Sequence, residues 1–449
     1  MYTVKRGTEI TAQVLMDVID ANDLLEPRFK KMEQYYFGQH AVLTRTRLDN
    51  EINNRIVINH AKYITDTNIG YLLGSPVDYK VNDESKVDID PVTEAYKKQN
   101  IADLDSEIAK DISIFGLQHE YVYENEDGET KSSNVDNRAT AIVYDTSLDH
   151  KKLFAIMYTG NYSKNRKKPD TYDVTFVDSK NVIEYVLTPG KVPKFEEVTK
   201  TPHGFELVPM IEYKNNSDYI GDFEQVITLM DAYNILQSDR VNDKEQFVDA
   251  VLTVYGATLT DKNMAELREN RVISGIPADA KVSYLTKNFN EKDADTLRKN
   301  IEADIHKISM TPNMTDSEFV GNSSGVAIRY KLLAFEQNTK TKERFMERGL
   351  MERFQLYWNQ LKAKSKTKGE FNVSDIDAVF NRNLPSNDVE VSTIVSNLDG
   401  VVSKETLIGQ LSFIKNASKE IEKAKTEAEE RVKALADQFK EDEPKEPEE

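Results

Sequence analysis

Residues 222–250 read DFEQVITLMDAYNILQSDRVNDKEQFVDA, and the change of character halfway along this stretch decides the fold. Phe223, Val226, Ile227, Met230 and Tyr233 recur at helical spacing and give the first half an apolar face. From Gln237 to Gln246 the residues are almost wholly polar. A helix that loses its apolar stripe partway is leaving one packing environment for another. Residues 291–309 predict a second helix, with Leu297, Ile301, Ile305 and Ile308 on one face. Between the two lies a small module, residues 251–290. It reads as a strand at 252–255, a short helix at 263–270, a strand at 271–273 and another near 282–285. A module of about 40 residues buries little core alone and usually needs a staple or a partner. The chain has no cysteine, so packing against a neighbouring chain is the expected solution.

Upstream, residues 8–37 predict a helix broken near Pro27, residues 52–73 a second helix ending at Gly74-Ser75-Pro76, and residues 92–115 a third helical stretch. From 120 to 214 the pattern switches to short runs rich in β-branched and aromatic residues. These are Tyr121-Val122-Tyr123, Ala141-Ile142-Val143-Tyr144, Phe154-Ala155-Ile156-Met157-Tyr158, Asp173-Val174-Thr175-Phe176-Val177 and Val182-Ile183-Glu184-Tyr185-Val186. Turn residues such as Glu126-Asp127-Gly128 separate them, which predicts an antiparallel meander closed by Pro209-Met210-Ile211-Glu212-Tyr213. Downstream of residue 309, a polar stretch at 311–324 leads into a proline-free helix over 325–361, roughly 55 Å long at the α-helical rise. Residues 362–369 form a basic link, and short elements at 371–380 and 388–395 surround Pro385. Residues 403–440 favour helix, and the acidic, proline-containing 441–449 is expected to be disordered.

Composition bounds the function. At 449 residues, two or more lobes are expected. Hydrophobic residues make up 39% and charged residues 30%, so the chain is either extended or hides apolar surface against partners. The net charge of -18 opposes tight nucleic-acid binding, which needs Lys and Arg to displace counterions. It leaves room for a duplex to pass close by without sticking. The start of the chain shows no apolar secretory region, and no apolar run approaches the ~20 residues of a spanning helix. A cytosolic site of synthesis and no membrane are therefore expected.

Catalytic motifs are sparse. Gly321-Asn322-Ser323-Ser324-Gly325 fits the letters of a nucleophile elbow, which would make Ser323 a hydrolase serine. The elbow needs a core strand before it and a histidine after it. Residues 315–318 are polar, and His40, His60, His119, His150, His203 and His306 all precede Ser323. The simpler reading is a loop of small residues leading into a helix. His119-Glu120 starts a zinc-helix pattern, but Tyr123 stands where the second histidine belongs. No phosphate loop or dinucleotide fingerprint occurs, so no cofactor and no metal are expected. Lys164-Asn165-Arg166-Lys167-Lys168 reads as a solvated hairpin tip rather than a DNA contact.

An ordered set of short stretches carries a resemblance. Tyr35-Tyr36-Phe37-Gly38-Gln39-His40 precedes Asn54-Arg55-Ile56-Val57-Ile58-Asn59-His60-Ala61-Lys62-Tyr63-Ile64, then Gly70-Tyr71-Leu72-Leu73-Gly74-Ser75-Pro76 and Ile114-Phe115-Gly116. Val208-Pro209-Met210-Ile211-Glu212-Tyr213-Lys214-Asn215-Asn216, Gly221-Asp222-Phe223-Glu224, Leu229-Met230-Asp231-Ala232-Tyr233-Asn234 and Ser324-Gly325-Val326-Ala327 follow. Over residues 35–361 the set resembles the portal proteins of tailed bacteriophages, of the type found in siphophages of Gram-positive hosts.

The resemblance implies an α+β, mainly helical portal fold and a structural rather than enzymatic role. It implies a ring, usually of twelve subunits, at one capsid vertex of the virion, assembled in the host bacterial cytoplasm. Double-stranded DNA would pass transiently through its channel during packaging and ejection. Implied partners are the terminase large subunit, the head-completion adaptor, and the major capsid and scaffolding proteins. Residues 1–221 would be the wing, with N-terminal helices and then a β-rich region. Residues 222–250 and 291–310 would be the stem helices and 251–290 an α/β clip. Residues 311–324 would be the tunnel loop, 325–400 the long wing helix and its return, 401–440 a helical crown, and 441–449 the acidic tail. Asp316, Ser317, Glu318, Phe319, Val320, Gly321, Asn322, Ser323 and Ser324 would be the DNA-proximal loop residues. On this view one face of the polar half of 222–250 lines a wet channel. Two alternatives stand beside it: another capsid-associated scaffold or minor head protein, and a serine hydrolase using Ser323. A scaffold would be mostly helical and lack the β region.

Overall fold

The computed structural model describes all residues except 1, 48–51, 83–84, 86, 164–167, 249–250, 259, 271–276, 278, 286–290, 315–327, 329, 368, 370, 383–387, 399, 410, 412–413, 415–416 and 442–449. The chain divides into two units, residues 1–314 with 332–383 and residues 315–331 with 384–449.

The first unit opens with a short strand, β1 (Tyr2–Val4), and two helices, α1 (Ala12–Asp23) and α2 (Glu26–Tyr36). Thr11 caps α1 by accepting from the Val14 N–H, and Pro27 sits in the first turn of α2, where its missing N–H costs nothing. Helix α3 (His60–Leu72) starts later than the sequence pattern predicts, because residues 52–59 are not helical. The run Ile56-Val57-Ile58 disfavours helix through its β-branched side chains, and Asn59 caps the helix by accepting from the Lys62 N–H at 3.0 Å. β2 (Asp78–Val81) follows. The third helical stretch is two helices, α4 (Asp90–Gln99) and α5 (Ile101–Phe115), broken at Asn100 in a left-handed conformation.

The β region forms two sheets. β3 (Leu117–Glu124), β4 (Thr130–Val135) and β10 (Met210–Lys214) form one, in the order β10-β3-β4. β5 (Thr140–Asp145), β6 (Lys152–Asn161), β7 (Thr171–Val177), β8 (Asn181–Thr188) and β9 (Lys194–Pro202) run as an antiparallel meander in the other, with β1 added parallel to β5. The runs at 141–144, 154–158, 173–177 and 182–186 form the expected meander, whereas 121–123 and 209–213, expected in the same sheet, belong to the β10-β3-β4 sheet. One of its faces packs on α1 through Leu15, Val18, Ile19, Val143, Phe154 and Ile156. The other meets β10 through Ile142, Tyr144, Ala155 and Met210. Lys168 is described, whereas residues 164–167 of the basic run lie outside the described residues.

After β10 the chain enters α6 (Ile227–Val248), a module holding β11 (Val251–Tyr255), α7 (Asp261–Asn270) and β12 (Lys281–Leu285), and then α8 (Glu291–Ile308). The long helix α9 (Leu333–Ala363) spans 31 residues, about 46 Å. It buries Met346, Leu350, Phe354, Tyr357, Trp358 and Leu361 in the largest core cluster, with side chains of α4, α5 and β10. β13 (Ile376–Val379) returns to pair antiparallel with β2. The second unit contains α10 (Asp388–Leu398), α11 (Lys404–Ile408) and α12 (Ala417–Glu441), and residues 422–432 of α12 are exposed.

Candidate functional site

α6 and α8 form a hairpin whose contacts run in opposite directions along the two helices. Lys244 Nζ meets Glu291 at 3.0 Å, Arg240 approaches Glu291 and Asp295 at 4.0 Å, and Arg298 reaches the Tyr233 hydroxyl at 3.4 Å. Near the base the contact is apolar: Phe223, Val226, Ile227, Met230 and Tyr233 meet Ile305 and side chains of α2 and α3. The apolar stripe read from 222–233 is thus buried at the base. On α8, Ile305 is fully buried, while Leu297 and Ile308 are exposed.

One face of the polar half of α6 is buried. Asn234, Ser238 and Asn242 are buried, one per helical turn. Their oxygens accept from the backbone N–H groups of Ile58 at 2.9 Å, Ile56 at 3.0 Å and Asn54 at 2.7 Å. Four helical residues rise about 6 Å, and two extended residues advance about 6.6 Å, so the two repeats keep step. Arg45 and Arg47 both pair with Asp239 beside this ladder, Arg45 at 2.8 Å. At these positions the polar side chains serve the backbone of residues 54–58 rather than a wet surface.

At the tip, β11 and β12 pair antiparallel from Val251↔Leu285 to Tyr255↔Lys281. A two-stranded ribbon of this kind is marginal alone. Tyr255 is exposed on it.

At the base, the chain leaving α8 is pinned to α3. Tyr63 O–H donates to the Pro312 carbonyl at 3.0 Å, and its oxygen accepts from the Met314 N–H at 2.9 Å. His306 Nδ1 donates to the Thr311 carbonyl at 3.0 Å. The His60 ring packs edge-on against Tyr233 and His306, and burial pushes its pKa down to about 4, with repulsion from His306 and His40 adding to the shift. Asp222, just before α6, accepts from Lys342 Nζ, from Ser113 Oγ at 2.6 Å and from Asn215 Nδ2 at 2.7 Å. Burial lowers the Lys342 pKa and Asp222 opposes the shift. A cavity of about 10 Å³ lined by Asn68, Ser113, Asn215, Asp222 and Lys342 shows how tightly this base is filled. Apart from His306–Thr311 and Asn215–Asp222, these partners lie tens to hundreds of residues apart, beyond the reach of sequence spacing.

The expected loop residues Asp316, Ser317, Glu318, Phe319, Val320, Gly321, Asn322, Ser323 and Ser324 lie outside the described residues, as does the 271–273 strand. Thr311, at the start of the 311–324 stretch, and Lys342 of α9 are buried within the base. Among the described residues, no group of three or more His, Asp or Glu side chains is arranged to hold a metal, and no helix is long and apolar enough to cross a membrane.

A helix hairpin carrying a small tip module, joined to a β-rich body and a long helix, has the element order of a phage portal protein. The sequence matches the family described as phage portal protein, SPP1 Gp6-like, over residues 16–434, and the chain belongs to that family. It is 25% identical over 417 residues to the portal protein of Bacillus phage SPP1, covering 89% of this chain and 80% of the relative. It is 22% identical over 422 residues to the portal protein of Clostridium phage phiCD119, covering 87% of this chain and 90% of the relative. The resemblance read from the ordered motifs, the α+β fold class and the structural, non-enzymatic role therefore hold. The hydrolase reading of Ser323 is not carried further.

Proposed function

We propose that this portal protein closes with copies of itself into a ring of about twelve subunits at one capsid vertex, and that double-stranded DNA passes through the ring during packaging and ejection. The observation that carries the reading is the α6–α8 hairpin with its β11–β12 ribbon. The ribbon is too small to be stable alone and is presented at the end of two helices, where a neighbouring subunit supplies the missing packing. In this reading residues 1–221 and 325–400 form the wing, 222–250 and 291–310 the stem, 251–290 the clip, 311–324 the tunnel loop and 401–440 the crown. The clip docks the terminase large subunit during packaging and the head-completion adaptor afterwards. The wing faces the major capsid and scaffolding proteins, and the whole ring is a virion component. The net charge of -18 per subunit suits a conduit that must not trap DNA, since few Lys and Arg remain to release phosphate counterions.

Deleting residues 316–323 tests the loop assignment. Rings should still assemble, while DNA packaging by the complete motor should fail. Loss of the rings themselves would contradict the assignment.

A further inference from the structure

We infer that Asn68 is a positioning residue that joins the chain on both sides of residues 315–331 and ties it to the root of α6. The functional meaning of this link rests on the channel reading of residues 311–324. The Asn68 side chain is buried on α3. Its Oδ1 accepts from Lys342 Nζ at 2.7 Å, on the helix that follows the segment. Its Nδ2 donates to the Thr311 hydroxyl at 3.1 Å, on the chain that leads into it, and to the Ile64 carbonyl at 2.8 Å within α3. An ammonium group only donates, so the amide atom facing Lys342 is the oxygen and the amide orientation is fixed. Both Nδ2 protons are then in use. Lys342 in turn donates to Asp222, five residues before the start of α6.

Thr311, Asn68, Lys342 and Asp222 thus form one buried relay through four separate parts of the chain. Thr311 and Lys342 are fully or almost fully buried, and so is the Asp222 side chain. Water cannot replace a broken link without entering the core, so each bond supports the next. A displacement of residues 311–314 draws on the Asn68 amide, and through Lys342 it reaches Asp222. Load on the channel-facing segment is passed to the stem root inside one subunit, without crossing a subunit boundary.

Hydrogen exchange on the purified full-length protein tests the relay, comparing wild type with Thr311→Val and Thr311→Ser. Valine keeps the shape and removes the hydroxyl; serine keeps the hydroxyl. In Thr311→Val, exchange should rise at 309–314 and also about fivefold at 338–346 and 222–228, the factor expected for one lost hydrogen bond. Thr311→Ser should match wild type at the two distant sites. Changes confined to 309–314, or a serine variant that behaves like valine, would overturn the inference. The readout needs neither DNA nor packaging. A failed relay therefore leaves the portal role to the loop deletion, and a failed loop deletion leaves the exchange result standing.

Discussion

The ring of Tyr213 lies against the backbone of Gly349 in the middle of α9. A Cβ at Gly349 would sit 2.3 Å from the Tyr213 Cε1. The Tyr213 hydroxyl donates to Glu120 at 2.6 Å, Glu120 accepts from Arg353 Nε at 2.8 Å, and Arg353 Nη1 donates to Asp105 at 2.6 Å. All of these side chains are buried. Ala favours helix over Gly by about 1 kcal/mol, but overpacking costs about 1–3 kcal/mol, and the displaced tyrosine would also lose the buried bond its hydroxyl donates to Glu120. Gly349→Ala should therefore destabilise the fold by about 2 kcal/mol in urea unfolding; an unchanged or raised midpoint would contradict the packing described. His60 makes a second prediction. Folded, it stays neutral down to about pH 4; unfolded, it takes a proton near its ordinary 6.5. The unfolded chain binds the proton first. The stability contributed by His60 is complete above about pH 6.5 and is lost as pH falls toward 4. His60→Phe should flatten the fall of the melting temperature across that window, and an unaltered fall would assign it to other groups. Neither feature was legible in the sequence. Counting carboxylates does not pair them, and a histidine on an apolar helix face reads alike whether it is a packed core residue or a switch.

At the scale of elements, periodicity was readable wherever one face of a segment is buried by side chains. The meander β5–β8 and the apolar stripe of α6 follow from it. It failed where backbone rather than side chain is the partner. Residues 52–59 carry apolar letters at helical spacing, yet their N–H groups go to Asn234, Ser238 and Asn242 of α6. β9 was missed because it is an edge strand exposed along most of its length, so no alternation is imposed on it. The ladder predicts that Ser238→Ala, which removes the partner of the half-buried Ile56 N–H, costs about 1 kcal/mol. The same change should speed amide exchange at residues 54–58. Protection there equal to wild type would mean that the ladder does not hold the segment. The base of the hairpin was invisible to the sequence for a related reason: Asn68 gathers Thr311 and Lys342 from 243 and 274 residues away.

At the scale of the molecule, identity was legible because the ordered motifs are spread over most of the chain, and the family match covers the same span. What a single chain does not carry is a partner surface for the β11–β12 ribbon, which under the proposed ring would come from another subunit. Closure of the portal protein into a ring around a channel remains the property on which the proposed function depends. Electron microscopy of the purified protein, with single-particle mass measurement on the same sample, tests it most directly. Rings with a central hole and a mass of roughly a dozen subunits are expected. A monodisperse monomer or dimer across a range of salt and protein concentration would contradict it.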